Sequence, residues 1–166
     1  MGTPKQYVEL PNGKTMLETM LEFAQSVTSS IVVVGGEVKS IRSIHDRRDK
    51  QGPVAGIEAL LHSEIDEEYL VVGCDMPFIR SEDVQPLLHC EKTALFLSKD
   101  RLFPLPLLID ANELHRCTDY LQTGKRSIHG FIESIPHLTV PIDQDAAEAL
   151  KSINSQEDFA ELYPQE

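Results

Sequence analysis

The sequence predicts an α/β protein, a three-layer sandwich with a mostly parallel sheet between two layers of helices. Short runs of apolar, β-branched residues alternate with segments of helical periodicity through the first half of the chain. Such alternation requires crossover connections, which are right-handed and cover both faces of a sheet. No internal repeat, low-complexity segment or linker rich in Gly and Ser interrupts the 166 residues. We therefore expect a single domain over residues 1–166.

The elements of the first half follow from capping and periodicity. Thr15 and Glu18 form a capping-box pattern, so a helix begins at Thr15 and continues to about Val27 with one apolar stripe. Residues 31–34 form a β-branched run stopped by two glycines, which is typical of a strand covered on both faces. Four further elements are predicted in this half: a short strand at 41–44, a helix after Gly52-Pro53, a buried strand at 69–73 and a helix capped by Ser81.

The pattern changes in the second half of the chain. Apolar segments at 94–97 and 104–108 flank the polar residues 98–101, which predicts a hairpin. The later predicted elements are helices at 113–121 and 127–133, a strand at 138–141 and a last helix after Ser155, where Ser155 and Asp158 form a capping pattern.

The overall charge argues against one class of function. With 15 basic and 27 acidic residues the net charge is −12, whereas a nucleic-acid binder needs a basic face. A small phosphorylated substrate stays open, because a divalent cation and a few local basic groups reverse the potential within one cleft. One segment is locally basic, and a solvated loop or edge explains it equally well: Lys39, Arg42, Arg47, Arg48 and Lys50.

Targeting, cysteine and histidine patterns point to a cytoplasmic protein without a zinc site. No apolar run is long enough to cross a bilayer, and the N-terminus lacks a signal-peptide core. The three cysteines have no C-x-x-C pair, and the six histidines have no metal-binding spacing. We expect reduced structural thiols, neither a disulfide framework nor a histidine-based metal site.

Asp75 is the most informative candidate residue. It stands just past a buried strand that ends at Gly73, and ligands of open α/β sheets bind in the crevice beyond the strand ends. A carboxylate at this position suits Mg²⁺ held against substrate phosphates. The alternative is a turn residue before Pro77, a role that Asp also fills well.

The segment Gly52-Pro53-Val54-Ala55-Gly56 is a second candidate. Its small residues leave the start of a helix free of side chains, so that backbone N–H groups could approach a base or a phosphate. The alternative is an ordinary helix started by Pro53, in which Gly56 packs tightly against the sheet.

Two further residues are weaker candidates when taken alone. Lys5 follows a Gly-x-Pro turn and could neutralise phosphate charge, although a terminal lysine is more often solvated. Asn154 directly precedes the predicted cap of the last helix and could present a carbonyl oxygen to a metal ion.

These segments follow one another in a characteristic order: G-x-P-K, G-P-V-A-G-I, C-D-M-P-F, a Pro-Leu strand, T-G-K-R-S and S-I-N-S-x-E-D-F. In this order the chain resembles the molybdenum cofactor guanylyltransferase family over nearly its whole length. The resemblance implies a Rossmann-like sandwich of the nucleotide-diphospho-sugar transferase type. Members of the family transfer GMP from GTP to molybdopterin with Mg²⁺ and release pyrophosphate.

The resemblance also implies roles for individual residues. Asp75 resembles the metal-binding aspartate, Lys5 the phosphate-contacting lysine, and Asn154 the second asparagine of an N-x-N motif that binds metal. The guanine-nucleotide pocket would include Gly52, Pro53 and Gly56. Arg126 is a candidate for the pterin side, or alternatively a cation at the end of a helix.

The chain departs from the family pattern at two places near its end and in one longer segment. Ser152 stands where the first asparagine of N-x-N is expected, and Gln156 where proline commonly follows. A strand and a Leu-Ala-Gly-Gly-x-Ser-x-Arg loop ahead of Met-Gly are also implied by the family. We therefore expect roughly ten to fifteen in-frame residues ahead of Met1, and weak nucleotide binding by the chain without them.

Two other functions stay open on the sequence. The nearer is a related cytidylyl- or sugar-phosphate nucleotidyltransferase on the same fold. The other is a non-catalytic, degenerate binding protein, which Ser152 and the missing loop favour. Nucleotide preference and GTP-dependent heat release with Mg²⁺ would distinguish the three.

Overall fold

The computed structural model describes residues 5–48, 51–154 and 158–159. The helices in these ranges are α1 (Met16–Val27), α2 (Pro53–Leu61), α3 (Ser81–Leu88), α4 (Leu114–Gln122), α5 (Ile128–Ser134) and α6 (Gln144–Ala149). The strands are β1 (Val32–Val34), β2 (Arg42–Ile44), β3 (Glu68–Val71), β4 (Ala94–Ser98), β5 (Arg101–Asp110) and β6 (Leu138–Pro141). Short 3₁₀ turns cover Lys5–Tyr7 and Ala111–Glu113.

The strands form two hydrogen-bonded groups. In the larger group the order is β3-β5-β4-β6, and in the smaller group β1 pairs with β2 in parallel. Strand β5 runs antiparallel to both β3 and β4, whereas β6 is parallel to β4. Strands β3, β4 and β6 therefore share one direction, and β5 is the single reversed strand of its group. The predicted mostly parallel α/β fold and the predicted hairpin around residues 98–101 are confirmed.

Alternating strand residues divide the core into two clusters on opposite faces of the sheet. Leu95 and Leu107 pack with residues of α2, α4 and α5. Their chain neighbours Phe96 and Leu108 pack with residues of α1, α3 and α6. Because successive side chains of a strand point to opposite faces, the helices lie in two layers. The expected three-layer sandwich is confirmed.

The predicted start of α1 is confirmed in detail. The Glu18 N–H donates to Thr15 Oγ1 at 3.2 Å, and the Thr15 N–H donates to Glu18 Oε2 at 2.7 Å. This reciprocal pair satisfies two donors that a helix N-terminus otherwise leaves open.

Three features differ from the sequence-based expectation. Ser81 is the first residue of α3 and not its cap; the N-cap is Arg80, whose N–H donates to Asp83 Oδ2 at 2.8 Å. The Asp83 carboxylate, three residues after Arg80, thus takes the place of the Ser81 hydroxyl that was expected to cap the helix. Helix α6 was not predicted; its cap is Asp143, which accepts from the Ala146 N–H at 2.9 Å. All three residues of β1 are half-buried rather than covered on both faces.

Some predicted features fall outside the described residues. Ser155 and Gln156 lie there, while Asp158 and Phe159 are helical. Within the ranges that the structure covers, no helix combines the length and apolar character needed to span a membrane.

Candidate active site

Asp75 lies beyond the carboxyl end of β3, as the sequence predicts. Its side chain is half-buried and folds back over Gly73. A Cβ atom built on Gly73 would lie 2.5 Å from Asp75 Oδ1, a distance that no real side chain tolerates. The glycine therefore provides the space in which the carboxylate stands.

Three segments that are distant in sequence meet beside Asp75. The Ile153 N–H donates to the Asp75 carbonyl oxygen at 2.8 Å. Ile153 in turn packs in a small apolar cluster with Leu10 and Met16, and Phe78 packs against this cluster. The residues after Lys5, the segment that contains Asp75 and the segment that contains Asn154 are thus held together by one hydrogen bond and one apolar cluster.

The structure describes the side chain of Asn154 but not that of Lys5. Asn154 is exposed, adjoins Ile153 and is held by its own N–H, which donates to Asp158 Oδ2 at 2.7 Å. The side-chain nitrogen Nδ2 of Asn154 donates to the Ser152 carbonyl oxygen at 3.5 Å. Lys5 begins the 3₁₀ turn that contacts α1, and its side chain, like residues 1–4, lies outside what the structure describes.

The donor atoms at this point suit a hard divalent cation. A carboxylate from Asp75 and an amide oxygen from Asn154 are the oxygen ligands that Mg²⁺ prefers. Among the described residues there is no group of three or more His, Cys, Asp or Glu side chains able to hold a metal. Mg²⁺ characteristically binds through one or two protein groups, with waters and substrate phosphates completing the shell, so the residues present fit that mode.

A second group of candidate residues gathers where β1 and β2 end. Gly52 is the N-cap of α2 and adopts φ 77°, and Pro53 occupies the first helical turn. Asp46 follows β2, and its carboxylate lies 3.5 Å from Cβ positions built on Gly35 and on Gly56. A Cβ atom on either glycine would be in ordinary van der Waals contact with this carboxylate, and Asp46 itself is exposed. Across the described part of the chain, no hydrogen bond or ion pair engages it.

Asp46 is a candidate that the sequence reasoning missed. The available signal was its position just after a strand, the same signal that identified Asp75. It was overlooked because β2 is short and the surrounding segment reads as a basic loop.

The strands that precede the two groups border one groove. Val32 of β1 and Leu70 of β3 both line it. Ligands of open α/β sheets bind beyond the carboxyl ends of the strands, and here Gly35 follows β1 and Asp75 lies beyond β3.

One residue of the basic segment has a structural role. Arg48 makes a bidentate ion pair with Glu58 of α2, through Nε to Oε2 at 2.8 Å and Nη2 to Oε1 at 3.1 Å. The Glu58 side chain is only 2% exposed. The Arg48 hydrogen bonds hold the pKa of Glu58 below its ordinary range despite burial. This pair fastens the loop that carries Asp46 onto the helix that begins at Gly52.

Arg126 makes the contacts expected of a cation at the end of a helix. Its Nη1 donates to the carbonyl oxygens of Leu121 at 2.9 Å and Lys125 at 2.6 Å. Its own carbonyl oxygen lies 3.6 Å from a Cβ position built on Gly52. Arg126 thus adjoins the second group, beside the start of α2, and its contact with a pterin stays a prediction.

A pocket of about 380 Å³ opens beside Asn154. Basic side chains from three separate segments reach it, namely Arg101, His129 and Lys151. Ser152 and Asp158 also line it, together with an apolar wall that includes Phe103 and Leu105. The pocket is therefore suited to a partly apolar molecule that carries negative charge.

Curated proteins similar to this chain share one description. A molybdenum cofactor guanylyltransferase of Photobacterium profundum is 26% identical over 171 residues, covering 97% of this chain and 87% of the relative. A protein of Flavobacterium johnsoniae, named "Probable molybdenum cofactor guanylyltransferase", is 28% identical over 117 residues. That alignment covers 68% of this chain and 61% of the relative's length.

Solved structures with the same fold have more varied names. Molybdopterin-guanine dinucleotide biosynthesis protein A of Archaeoglobus fulgidus superposes with a TM-score of 0.76 at 22% identity, covering 96% of this chain and 89% of the other. The 2-C-methyl-D-erythritol 4-phosphate cytidylyltransferase of Thermus thermophilus gives 0.69 at 15% identity, covering 95% and 91%. At these identities the likeness shows the nucleotide-diphospho-sugar transferase fold alone.

The family itself is shown by a match over most of the chain. Residues 1–138 match the MobA-like NTP transferase domain, and the matched stretch contains both glycine segments and Asp75. With the strand-end carboxylates and the three-layer fold already described, this chain belongs to the MobA-like NTP transferase domain family and is a nucleotidyltransferase.

Proposed function

We propose that this chain transfers GMP from GTP to molybdopterin and releases pyrophosphate. The observation that carries the proposal is the Ile153–Asp75 hydrogen bond of 2.8 Å. It joins the main chain of Asp75 to Ile153, the neighbour of Asn154, and Asn154 lines a pocket with basic side chains. The guanylyltransferase relatives support the choice of substrates.

The reaction needs positioning and charge neutralisation rather than a covalent intermediate. The terminal phosphate of molybdopterin attacks the α-phosphorus of GTP in line; the new P–O bond forms as the bond to the β-phosphate oxygen breaks and pyrophosphate leaves. Mg²⁺, when bound by Asp75 and Asn154, supplies the positive charge that the phosphates require. Lys5 neutralises charge on the nucleotide, and the start of α2 directs backbone N–H groups toward it.

Asp46 gives the proposal a basis for preferring guanine. A carboxylate only accepts hydrogen bonds, and the Watson–Crick edge of guanine offers two adjacent donors, N1–H and the 2-amino group. Cytosine and adenine place an acceptor beside their amino group on that edge. The open carboxylate between Gly35 and Gly56 therefore matches guanine better than either.

The pocket beside Asn154 would bind molybdopterin, the molecule that accepts the GMP group. Arg101 and Lys151 would face the terminal phosphate of molybdopterin, while the apolar wall with Phe103 and Leu105 would contact its ring system. Basic groups next to an otherwise acidic surface, net charge −12, attract a phosphorylated acceptor into one cleft.

A direct assay tests the proposal. The protein produced from its native gene is incubated with Mg²⁺, molybdopterin and GTP, CTP or ATP, and the dinucleotide product and pyrophosphate are quantified. We expect equal amounts of both products with GTP, and at least about tenfold less with CTP or ATP. Asp46→Asn should reduce the preference for GTP, whereas Asp100→Asn, in the β4–β5 turn, should not. Faster transfer with CTP would assign the chain to the cytidylyl branch instead.

A non-catalytic role is the second candidate, and Ser152 favours it. The family places an asparagine where Ser152 stands, so one metal ligand is replaced by a residue that lines the pocket. GTP-dependent heat release on adding Mg²⁺, without any product, would support this role. Product formation would exclude it.

A further inference from the structure

The connection between α4 and α5 joins residues of the two candidate substrate sites. It runs through residues 123–127, and the Arg126 carbonyl oxygen lies 3.6 Å from a Cβ position built on Gly52, at the start of α2. At its other end, His129 in the first turn of α5 lines the pocket beside Asn154. The conformation of this one connection therefore bears on both sites.

Core packing anchors α5 mainly through its later residues. Phe131 and Ile132 are fully buried, whereas residues 127–130 are exposed or half-buried. His129, the residue of this helix that lines the pocket, is itself exposed. The position of its side chain therefore depends on polar contacts to the first turn more than on burial.

Tyr120 of α4 supplies such a contact. Its hydroxyl donates to the Ser127 carbonyl oxygen at 2.8 Å. The same oxygen accepts a helical hydrogen bond from the Phe131 N–H at 3.0 Å. The Tyr120 ring is 7% exposed and packs at 58° against the Phe131 ring, with the ring centroids 5.7 Å apart. A buried, rigid ring thus presents one hydroxyl to the N-cap of α5.

Gly130 leaves the space that this hydroxyl occupies. A Cβ atom built on Gly130 would lie 2.6 Å from Tyr120 Oη, closer than real side chains allow. Glycine is a poor helix former, yet a larger residue at this position would displace the hydroxyl. The contact is therefore made by two elements together, the tyrosine of α4 and the position without a side chain in α5.

The end of the connection that adjoins α2 is held separately. Arg126 Nη1 donates to the carbonyl oxygens of Leu121 and Lys125, and neither hydrogen bond involves Tyr120. Loss of the Tyr120 hydroxyl should therefore loosen the α5 end, which carries His129, and leave the end beside α2 in place.

We infer that Tyr120 is a positioning residue for the pocket beside Asn154 and acts through His129. Its hydroxyl fixes the first turn of α5 so that the His129 imidazole lines the pocket, where a ring N–H donates to the phosphorylated acceptor. The inference rests on the proposed function, in which this pocket binds molybdopterin. It adds His129 to Arg101 and Lys151 as a group that contacts the acceptor.

The test measures the binding of each substrate separately. The protein produced from its native gene is titrated in a calorimeter with molybdopterin and, in a second experiment, with GTP and Mg²⁺. Tyr120→Phe removes the hydroxyl and keeps the ring. We expect it to weaken molybdopterin binding about three- to tenfold, the range of one lost hydrogen bond, and to change GTP binding by less than about twofold. Gly130→Ala, which displaces the hydroxyl, should give the same difference between the two substrates.

Tyr69→Phe is the matched control. Tyr69 is 9% exposed, and its hydroxyl accepts from the N–H groups of Ile65 at 3.0 Å and Asp66 at 2.9 Å. It does not line the pocket beside Asn154. We expect this variant to melt at a lower temperature and to bind molybdopterin like the wild type. Equal weakening of molybdopterin binding by both tyrosine substitutions would indicate a general structural effect and would overturn the inference.

A double-variant cycle tests the route through His129. His129→Ala should weaken molybdopterin binding at least as much as Tyr120→Phe, and adding the second substitution to the first should change it by less than about twofold. Additive losses, or unchanged molybdopterin binding in Tyr120→Phe, would overturn the inference and leave the proposed transfer of GMP intact. The expected binding pattern without any dinucleotide product would overturn the proposed function alone. Absence of molybdopterin binding by the wild type would overturn both.

Discussion

At the scale of single residues, Asp75 depends on the absence of a side chain at position 73. Gly73→Ala would place a methyl group 2.5 Å from Asp75 Oδ1, so the carboxylate must rotate away. Because Asp75 is a short, half-buried side chain that can rotate, we expect the melting temperature to change by no more than about 2 °C. Nucleotidyl transfer should fall by about tenfold to hundredfold, since a displacement of about 1 Å has that effect on a positioned group.

A double-variant cycle separates this mechanism from a general disturbance. If Gly73→Ala acts through Asp75, it should add little to the loss caused by Asp75→Asn. Independent, additive losses in the transfer rate would indicate that Gly73 matters for another reason.

The Arg48–Glu58 pair gives a stability prediction with a pH dependence. Arg48→Ala leaves the Glu58 carboxylate, which is 2% exposed, without its charged partner, whereas the Arg48 side chain is 32% exposed. We expect the free energy of unfolding to fall, because both hydrogen bonds from the guanidinium are lost. Arg47→Ala, an exposed neighbour, should change the stability by less than about 0.5 kcal/mol.

The sign of the pH effect follows from the lowered pKa of Glu58. A carboxyl group whose pKa is depressed by folding contributes stability above its unfolded pKa, about 4.3, and loses it as the pH falls through the folded value. The difference in unfolding free energy between the wild type and Arg48→Ala should therefore be largest near neutral pH and shrink below about pH 4.3. A difference that grows on acidification, measured by urea unfolding, would contradict this assignment.

At the scale of elements, the start of α2 depends on an N-cap with positive φ. Gly52 adopts φ 77° and ψ −174°, a combination that is almost confined to glycine and costs another residue about 1–3 kcal/mol. A methyl group there would meet only the Arg126 carbonyl oxygen at 3.6 Å, an ordinary contact. Gly52→Ala should therefore destabilise the protein by backbone strain alone, by about 1–3 kcal/mol in chemical unfolding.

Gly36→Ala is the matched control for this prediction. Gly36 has no positive φ, and a Cβ atom there would lie 3.9 Å from Val33. We expect a change in stability of less than about 0.5 kcal/mol. Equal effects of the two substitutions would mean that strain at Gly52 is not the cause.

The sequence predicted elements where a local pattern decides them. Thr15 and Glu18 satisfy each other within one turn, so their capping box was readable directly. Ser81 gave the same kind of signal, but the prediction that it caps α3 was wrong. The Arg80 N–H donates to Asp83 instead. Helix α6 has only six residues, too few for helical periodicity to be recognised.

At the scale of the whole molecule, the fold class was predictable and the assembly of the site was not. Alternating strands and helices suffice for a three-layer sandwich. The contact between Ile153 and Asp75, however, joins two segments that only the folded chain brings together. Asp46 likewise lies beside Gly35 and Gly56, two glycines from different segments of the chain, a relation that no local pattern contains.

The proposed reaction depends on Asp75 as the group that would hold the cation against the phosphates. The most direct measurement is the single-turnover rate of GMP transfer from GTP to molybdopterin for the wild type, Asp75→Asn and Asp145→Asn, each with its melting curve. Asn is nearly isosteric with Asp but lacks the charge, and Asp145 is an exposed aspartate of α6. We predict that Asp75→Asn lowers the rate at least about a hundredfold with an unchanged melting temperature, while Asp145→Asn leaves the rate unaltered. A rate for Asp75→Asn within a few-fold of the wild type would mean that Asp75 is only a turn residue and would contradict its proposed role in holding the cation.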